Sequence, residues 1–305
     1  MIGFLGAGRV GAQAALEVAS AGIDDVALVD IVPGLAEGEA MDISQKIAET
    51  GVDVDIKGST DFSSLRGSEV VVITAGLARK PGMTRMDLLE KNAGIVAGVA
   101  KEVAKHAPDS IALTVTNPMD VMNYIVLKKT GFPKGRVVGM GGILDLSRFK
   151  STISAMLDVS HSSITSLVIG EHGENMLPLP RFTSIGGVPL TKLMDETQIA
   201  QAIEATRRIA VDVISKKGAT VDAPANAIVR MVKAIAWDRK EVLPASAYLE
   251  REYSVDGICI GVPLVLGGEG VERVLPLDLN EKERAIFSKG AKTIREGINA
   301  IASSL

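Results

Sequence analysis

Three histidines offer proton chemistry in this chain, and their settings differ. His106 closes an amphipathic stretch ahead of Pro108, where the macrodipole of a helix alone accounts for an imidazole. His161 lies among serines in a turn. His172 follows the apolar run Ser166-Leu167-Val168-Ile169 and sits within Gly170-Glu171-His172-Gly173-Glu174. A ring presented at a strand end, with glycines leaving space around it, suits proton exchange with a substrate; a plain turn histidine is the alternative. Asp145 and Arg148 are three apart and share a helix face. The carboxylate could hold a histidine in one tautomer and raise its pKa, and the guanidinium fork could bind a substrate carboxylate. A solvated ion pair is the plainer alternative. Arg79 and Arg85 lie six apart in Arg79-Lys80-Pro81-Gly82-Met83-Thr84-Arg85, beyond the apolar run Val70-Val71-Val72-Ile73-Thr74. Arginines there suit a lid that closes over an anionic substrate, or a basic surface loop.

Such groups need a scaffold that brings them together, and the start of the chain points to one. Met1-Ile2-Gly3-Phe4-Leu5 reads as a short strand running into Gly6-Ala7-Gly8-Arg9-Val10-Gly11, at the mouth of a helix that extends to about Ala21. This is the G-x-G-x-x-G dinucleotide fingerprint between a strand and a helix, where backbone N–H groups face a pyrophosphate. A second strand, Val26-Ala27-Leu28-Val29, ends in Asp30. A carboxylate at that place accepts from both ribose hydroxyls and repels a 2′-phosphate, so NAD is expected rather than NADP. The alternation continues with a helix at 34–49, a half-buried strand at 52–56, a buried strand at 70–74, a helix to about 105, a strand at 111–115, a helix from Asn117-Pro118 and a strand at 136–139. Residues 1–140 are therefore expected to form a Rossmann doubly wound parallel sheet.

Beyond it the pattern changes. Helices at 144–157, 199–217, 226–237 and 280–302 and strands at 163–169, 178–188, 242–249 and 258–266 lack regular alternation, so residues 141–305 are expected to form a second, α+β domain. The chain has 305 residues, 47% of them hydrophobic, and a net charge of −4, which gives no reason to expect nucleic acid or a membrane as partner. No run is long enough to span a bilayer, and the glycine loop begins five residues from Met1, so a cytoplasmic protein without a leader is expected. The single cysteine, Cys259, lies in an apolar strand-like run and suits a buried hydrophobe, so neither a disulfide nor a cysteine-based metal site is expected.

Seven motifs in order, Gly6 to Gly11, Asp30, Thr74-Ala75-Gly76, Arg79 to Arg85, Thr116-Asn117-Pro118-Met119-Asp120, Leu144-Asp145-Leu146-Ser147-Arg148-Phe149 and Gly170 to Glu174, make the chain resemble the lactate/malate dehydrogenase family over nearly its whole length. It is most similar to the lactate-dehydrogenase-like malate dehydrogenases of bacteria and archaea. The resemblance implies reversible NAD-dependent oxidation of (S)-malate to oxaloacetate, with His172 as acid/base and Asp145 orienting it. It implies that Arg148 clamps the C1 carboxylate, that Arg85 polarises the carbonyl, and that Asn117 contacts substrate and cofactor. Gly6, Ala7, Gly8, Arg9, Val10, Gly11, Asp30, Thr74, Ala75, Gly76, Asn92 and Val115 are implied as further cofactor contacts. Position 79 is usually glutamine in the family's lactate dehydrogenases and arginine in its malate dehydrogenases, so Arg79 implies a dicarboxylate substrate. A place in the tricarboxylic acid cycle and a homo-oligomer, tetramer before dimer, go with this resemblance. The segment Lys217 to Pro224 departs from the family's usual glycine-rich or tyrosine-containing one, with Thr220 as a pocket-wall residue and Asp222 as the departure.

Rival readings are an L-lactate or broad 2-hydroxy-acid dehydrogenase and a catalytically silent NAD-binding regulator. The spacing of Tyr124 and Lys128, with Ser110 upstream, also mimics the Tyr-x-x-x-Lys pair of short-chain dehydrogenases. The glycine pattern argues against that, and an i,i+4 pair is an ordinary helix contact.

Overall fold

The computed structural model describes residues 1–77 and 84–302. In chain order its elements are β1 (Ile2–Leu5), α1 (Arg9–Ser20), β2 (Val26–Val29), α2 (Leu35–Ala48), β3 (Ile56–Ser59), β4 (Val70–Ile73), α3 (Arg85–His106), β5 (Ile111–Thr114), α4 (Met119–Thr130) and β6 (Val137–Gly139). They are followed by α5 (Gly142–Leu157), β7 (Ile164–Thr165), β8 (Val168–Gly170), β9 (Met176–Pro178), β10 (Ser184–Ile185), β11 (Val188–Pro189), α6 (Leu190–Leu193), α7 (Glu196–Lys217), α8 (Asp222–Ala236), β12 (Glu241–Glu250), β13 (Asp256–Gly267), β14 (Gly270–Val274) and α9 (Glu281–Ile301).

Strands β1, β2, β4 and β5 are apolar and buried at nearly every position, because helices cover both faces of a parallel sheet. The parallel order is β3-β2-β1-β4-β5-β6, the doubly wound arrangement expected. The sheet does not stop at β6. It continues antiparallel into β12, with Ser246 opposite Gly139, and then through β13 to β8 and β9. A three-stranded sheet of β11, β10 and β7 stands apart from it. One hydrophobic core runs from Phe4 and Leu28 to Ile260 and Phe287, and a smaller one gathers Phe149, Ile153, Leu190 and Ala202.

Local chemistry explains where elements begin. Thr84 with Asp87, Asp195 with Gln198 and Asn280 with Glu283 form reciprocal capping boxes at α3, α7 and α9, satisfying N–H groups that the helix itself leaves unpaired. Several boundaries differ from those expected. The strand expected at 52–56 begins only at Ile56, because the Asp55 N–H is taken by the Asp25 carboxylate at 2.9 Å and the ladder to β2 opens with Val26 opposite Ile56. The strand expected at 163–169 is two, with Ile164–Thr165 in one sheet and Val168–Gly170 in the other. Helix α8 starts four residues before the expected 226, since Pro224 in its first turn needs no N–H partner. Strand β14 was not expected at all; its sequence Gly-Val-Glu-Arg-Val is short and charged, and its pairing with β13 makes it a strand. No helix among the described residues is long and apolar enough to cross a membrane.

Candidate active site

The glycine loop joins β1 to α1 under tight steric control. Gly6 takes a φ of +107°, and a Cβ on Gly11 would lie 1.9 Å from the Gly6 carbonyl oxygen. Neither position admits a side chain without moving the loop. The Thr74 hydroxyl donates to the carbonyls of Leu5 (3.1 Å) and Gly6 (3.0 Å), tying the loop to the end of β4. Helix α1 has no side-chain cap and no acidic residue in its first turn, so its leading N–H groups are available to an anion. Asp30 stands beside the loop, its Oδ2 accepting the Ala7 N–H at 2.7 Å and its Oδ1 the Val32 N–H at 2.9 Å. Open space around Gly8, exposed Arg9 and half-buried Val10 complete a cradle that fits a dinucleotide phosphate.

The ends of β4 and β5 are laced together beside it. Buried Asn92 accepts the Leu77 N–H through Oδ1 at 2.8 Å and donates through Nδ2 to the carbonyls of Asn117 (2.7 Å) and Leu77 (3.2 Å). Its side-chain amide thus holds main chain on both segments. Thr116 donates to the Ala75 carbonyl at 2.8 Å. Val115 and Ala75 are half-buried, and Gly76 and Asn117 are exposed, along a rim at the carboxyl ends of the strands, where doubly wound sheets take ligands.

Helix α5 and the segment after β8 bring the charged groups together. His172 Nδ1 lies 2.7 Å from Asp145 Oδ2, and Arg148 Nη1 donates to Asp145 Oδ1 at 2.8 Å. The Asp145 side chain is only 2% exposed and Arg148 9%, so this is no solvated surface pair. Burial alone would push the His172 pKa down, but the Asp145 charge and hydrogen bond outweigh it and the net shift is upward. With Nδ1 committed to Asp145, Nε2 is the nitrogen left for a substrate. The Asp145 contact also fixes the tautomer: Nδ1 carries the proton and Nε2 is the basic site of the neutral ring.

Arg79 lies outside the described residues, and Arg85 is the first residue of α3, with its side chain likewise outside them. The other histidines stay apart from Asp145. His106 ends α3 and pairs with Glu102 at 3.3 Å, and exposed His161 borders a small groove between α5 and α8. Lys128 sits 5.3 Å from the Tyr124 ring centre and 5.2 Å from that of Tyr248, a cation–π sandwich. Asp222 pairs with Lys217 at 2.7 Å at the turn from α7 to α8, beside Arg9 in a cleft of about 470 Å³. Sequence reasoning gave no role to Asp120 or Ser246, although both are buried near His172. The only local signal was a lone serine in the apolar run Leu243-Pro244-Ala245-Ser246-Ala247.

Residues 1–139 match the model of the lactate/malate dehydrogenase NAD-binding domain, and residues 143–304 match that of the lactate/malate dehydrogenase α/β C-terminal domain. The chain belongs to the lactate/malate dehydrogenase family. A malate dehydrogenase of Halalkalibacterium halodurans is 44% identical over 304 residues, covering 98% of this chain and 97% of the relative. The crystal structure of Cryptosporidium parvum malate dehydrogenase superposes with a TM-score of 0.96 at 36% identity, covering 99% of this chain and 98% of that one. The lactate dehydrogenase of the same organism, complexed with lactic acid and nicotinamide adenine dinucleotide, superposes with a TM-score of 0.95 at 35% identity, covering 99% and 97%. Within this family the fold accommodates both substrates, so substrate choice is a matter of individual side chains.

Proposed function

We propose that the chain is an NAD-dependent malate dehydrogenase, interconverting (S)-malate and oxaloacetate. The observation that carries the reading is the buried Asp145 carboxylate, shared between His172 and Arg148. In malate oxidation His172 Nε2 takes the hydroxyl proton, and the Asp145 carboxylate stabilises the imidazolium that results; in the reverse direction the ring returns that proton to the carbonyl oxygen. Arg148 keeps N–H groups beyond the one given to Asp145, and these hold the C1 carboxylate. Arg85 polarises the reacting oxygen, Asn117 hydrogen-bonds the substrate, and Arg79 meets its second carboxylate. Gly6 to Gly11, Asp30, Thr74 to Gly76, Val115 and Asn117 line the cofactor's path, and buried Asn92 holds the Leu77 and Asn117 main chain behind it. When bound, NAD supplies the hydride acceptor. The assay is NADH oxidation with oxaloacetate: turnover at ordinary enzymatic rates supports the reading, and no turnover with folded protein overturns it.

Two further results are expected. Oxaloacetate reduction needs protonated His172, so kcat/KM for oxaloacetate falls as pH rises through the ring's pKa, above the ordinary 6.5, while kcat/KM for malate rises across the same range. Profiles measured from about pH 5 to 9 test this, and limbs of the opposite sign contradict it. Asp30→Ser removes the charge that faces a 2′-phosphate, and the ratio of kcat/KM for NADPH to that for NADH rises by about tenfold or more, the factor set by ~1.4 kcal/mol of removed repulsion. An unchanged ratio removes Asp30 from cofactor choice.

The proposed division is a cofactor domain at 1–140 and a substrate domain at 141–305; family matches at 1–139 and 143–304 support it. We further propose that the protein is cytoplasmic, acts in the tricarboxylic acid cycle, and is a homotetramer or dimer. Support for an oligomer comes from apolar side chains left exposed on two helices, Met41 on α2 and Val211 and Ile214 on α7.

A further inference from the structure

His172 is gripped at two points. The ring is held by Asp145, and the main chain is held by a second carboxylate: Asp120 Oδ2 accepts the His172 backbone N–H at 2.8 Å. Asp120 is the second residue of α4, 3% exposed, and its other oxygen accepts the hydroxyl of Ser246 at 2.7 Å. Ser246 is fully buried on β12, at the residue pair that joins β12 to β6. Asn123, one turn further along α4, donates to the Ser246 carbonyl at 3.1 Å. Helix α4, strand β12 and the His172 segment are therefore locked together through one carboxylate. The side chains that act on it most strongly are Ser246, His172 and Glu171, with no lysine or arginine among them.

A neutral side chain could have made both contacts. A buried carboxylate without a cation is expensive to keep ionised, so its use here calls for a reason other than hydrogen bonding. We propose that Asp120 is a positioning residue for His172, fixing the histidine's main chain and adding a second negative charge that favours the protonated ring. The proposal rests on the reading of His172 as the acid/base group. Among the described residues, the charged groups that act on His172 are Asp145 and Arg148 from α5 and Asp120 from α4, while Glu171 and Cys259 from β13 are coupled to Asp120. Of these, Asp145 and Asp120 favour the imidazolium and Arg148 opposes it. Burial pushes the Asp120 carboxyl up to about 6, against the pull of its hydrogen bonds from Ser246 and His172, both of which favour the ionised form. Arg148 is needed to hold substrate, and Asp120 offsets its cost to the protonated ring.

Asp120→Asn tests this, because an asparagine keeps the shape: its oxygen accepts the His172 N–H as before, while the bond to Ser246 reverses, the NH2 donating to Ser246 Oγ, and the charge is removed. In full-length protein labelled with ¹⁵N-histidine, the His172 ring signal, assigned by its absence in His172→Asn, is followed against pH. The expected result is a titration midpoint lower by about one pH unit in Asp120→Asn, an alkaline limb of oxaloacetate reduction displaced the same way, and kcat reduced by about tenfold with NADH affinity held. The smaller, neutral Asp120→Ser gives the same readout independently. A ring midpoint and an activity limb both unmoved, in folded variants that bind NADH normally, overturn the proposal. If the midpoint moves but His172→Asn still turns over, the coupling stands and the acid/base reading is what fails.

Discussion

Replacing His172 with asparagine lowers kcat for both malate oxidation and oxaloacetate reduction by about 10²–10⁴-fold, the usual contribution of a positioned acid/base group. The asparagine amide donates to Asp145 in place of Nδ1, so the 2%-exposed carboxylate keeps both partners and the fold is retained. NADH affinity should stay within about twofold, because the glycine loop and Asp30 lie on other elements. Steady-state kinetics together with an NADH fluorescence titration check both halves. Near wild-type turnover would remove His172 from the mechanism, and failure to bind NADH would mean that the substitution acts through the fold.

Arg79→Gln should abolish the preference for oxaloacetate over pyruvate. A dicarboxylate whose second carboxylate is enclosed without a cation loses about 3 kcal/mol or more, which is about 10²-fold or more in kcat/KM for oxaloacetate. Pyruvate carries a methyl group there and loses nothing, so its kcat/KM should hold or rise. The prediction rests on residue type at position 79 and on the lactate and malate enzymes sharing one fold. Measuring both substrates on both chains decides it; equal losses for oxaloacetate and pyruvate would make Arg79 a general anion ligand instead.

Some of this site was legible from the residues alone, and physics explains which part. The glycine fingerprint and Asp30 are readable because their chemistry is local: a turn, a helix N-terminus and a strand end lie within thirty residues. The continuous Val70-Val71-Val72-Ile73 run announced a strand covered on both faces, and it is one. Asp145 and Arg148 could be placed on one helix face, but nothing in their spacing said that Asp145 would be buried or that His172 would reach it. That contact needs β8 to end beside α5, and family resemblance, not periodicity, pointed to it. Asp120 and Ser246 went without a role for the same reason. They are 126 positions apart, and a hydrogen bond between distant strands and helices leaves no periodic trace. The continuation of the parallel sheet into antiparallel β12 and β13 was equally hidden, because alternation shows that a segment is a strand and not which strand it joins.

The most direct measurement is the ratio of kcat/KM for oxaloacetate to that for pyruvate, with NADH and the unmodified chain at one pH. With Arg79 partnering the second carboxylate, oxaloacetate is preferred by about 10²-fold or more. A ratio near one, or a preference for pyruvate, would contradict the assignment as a malate dehydrogenase.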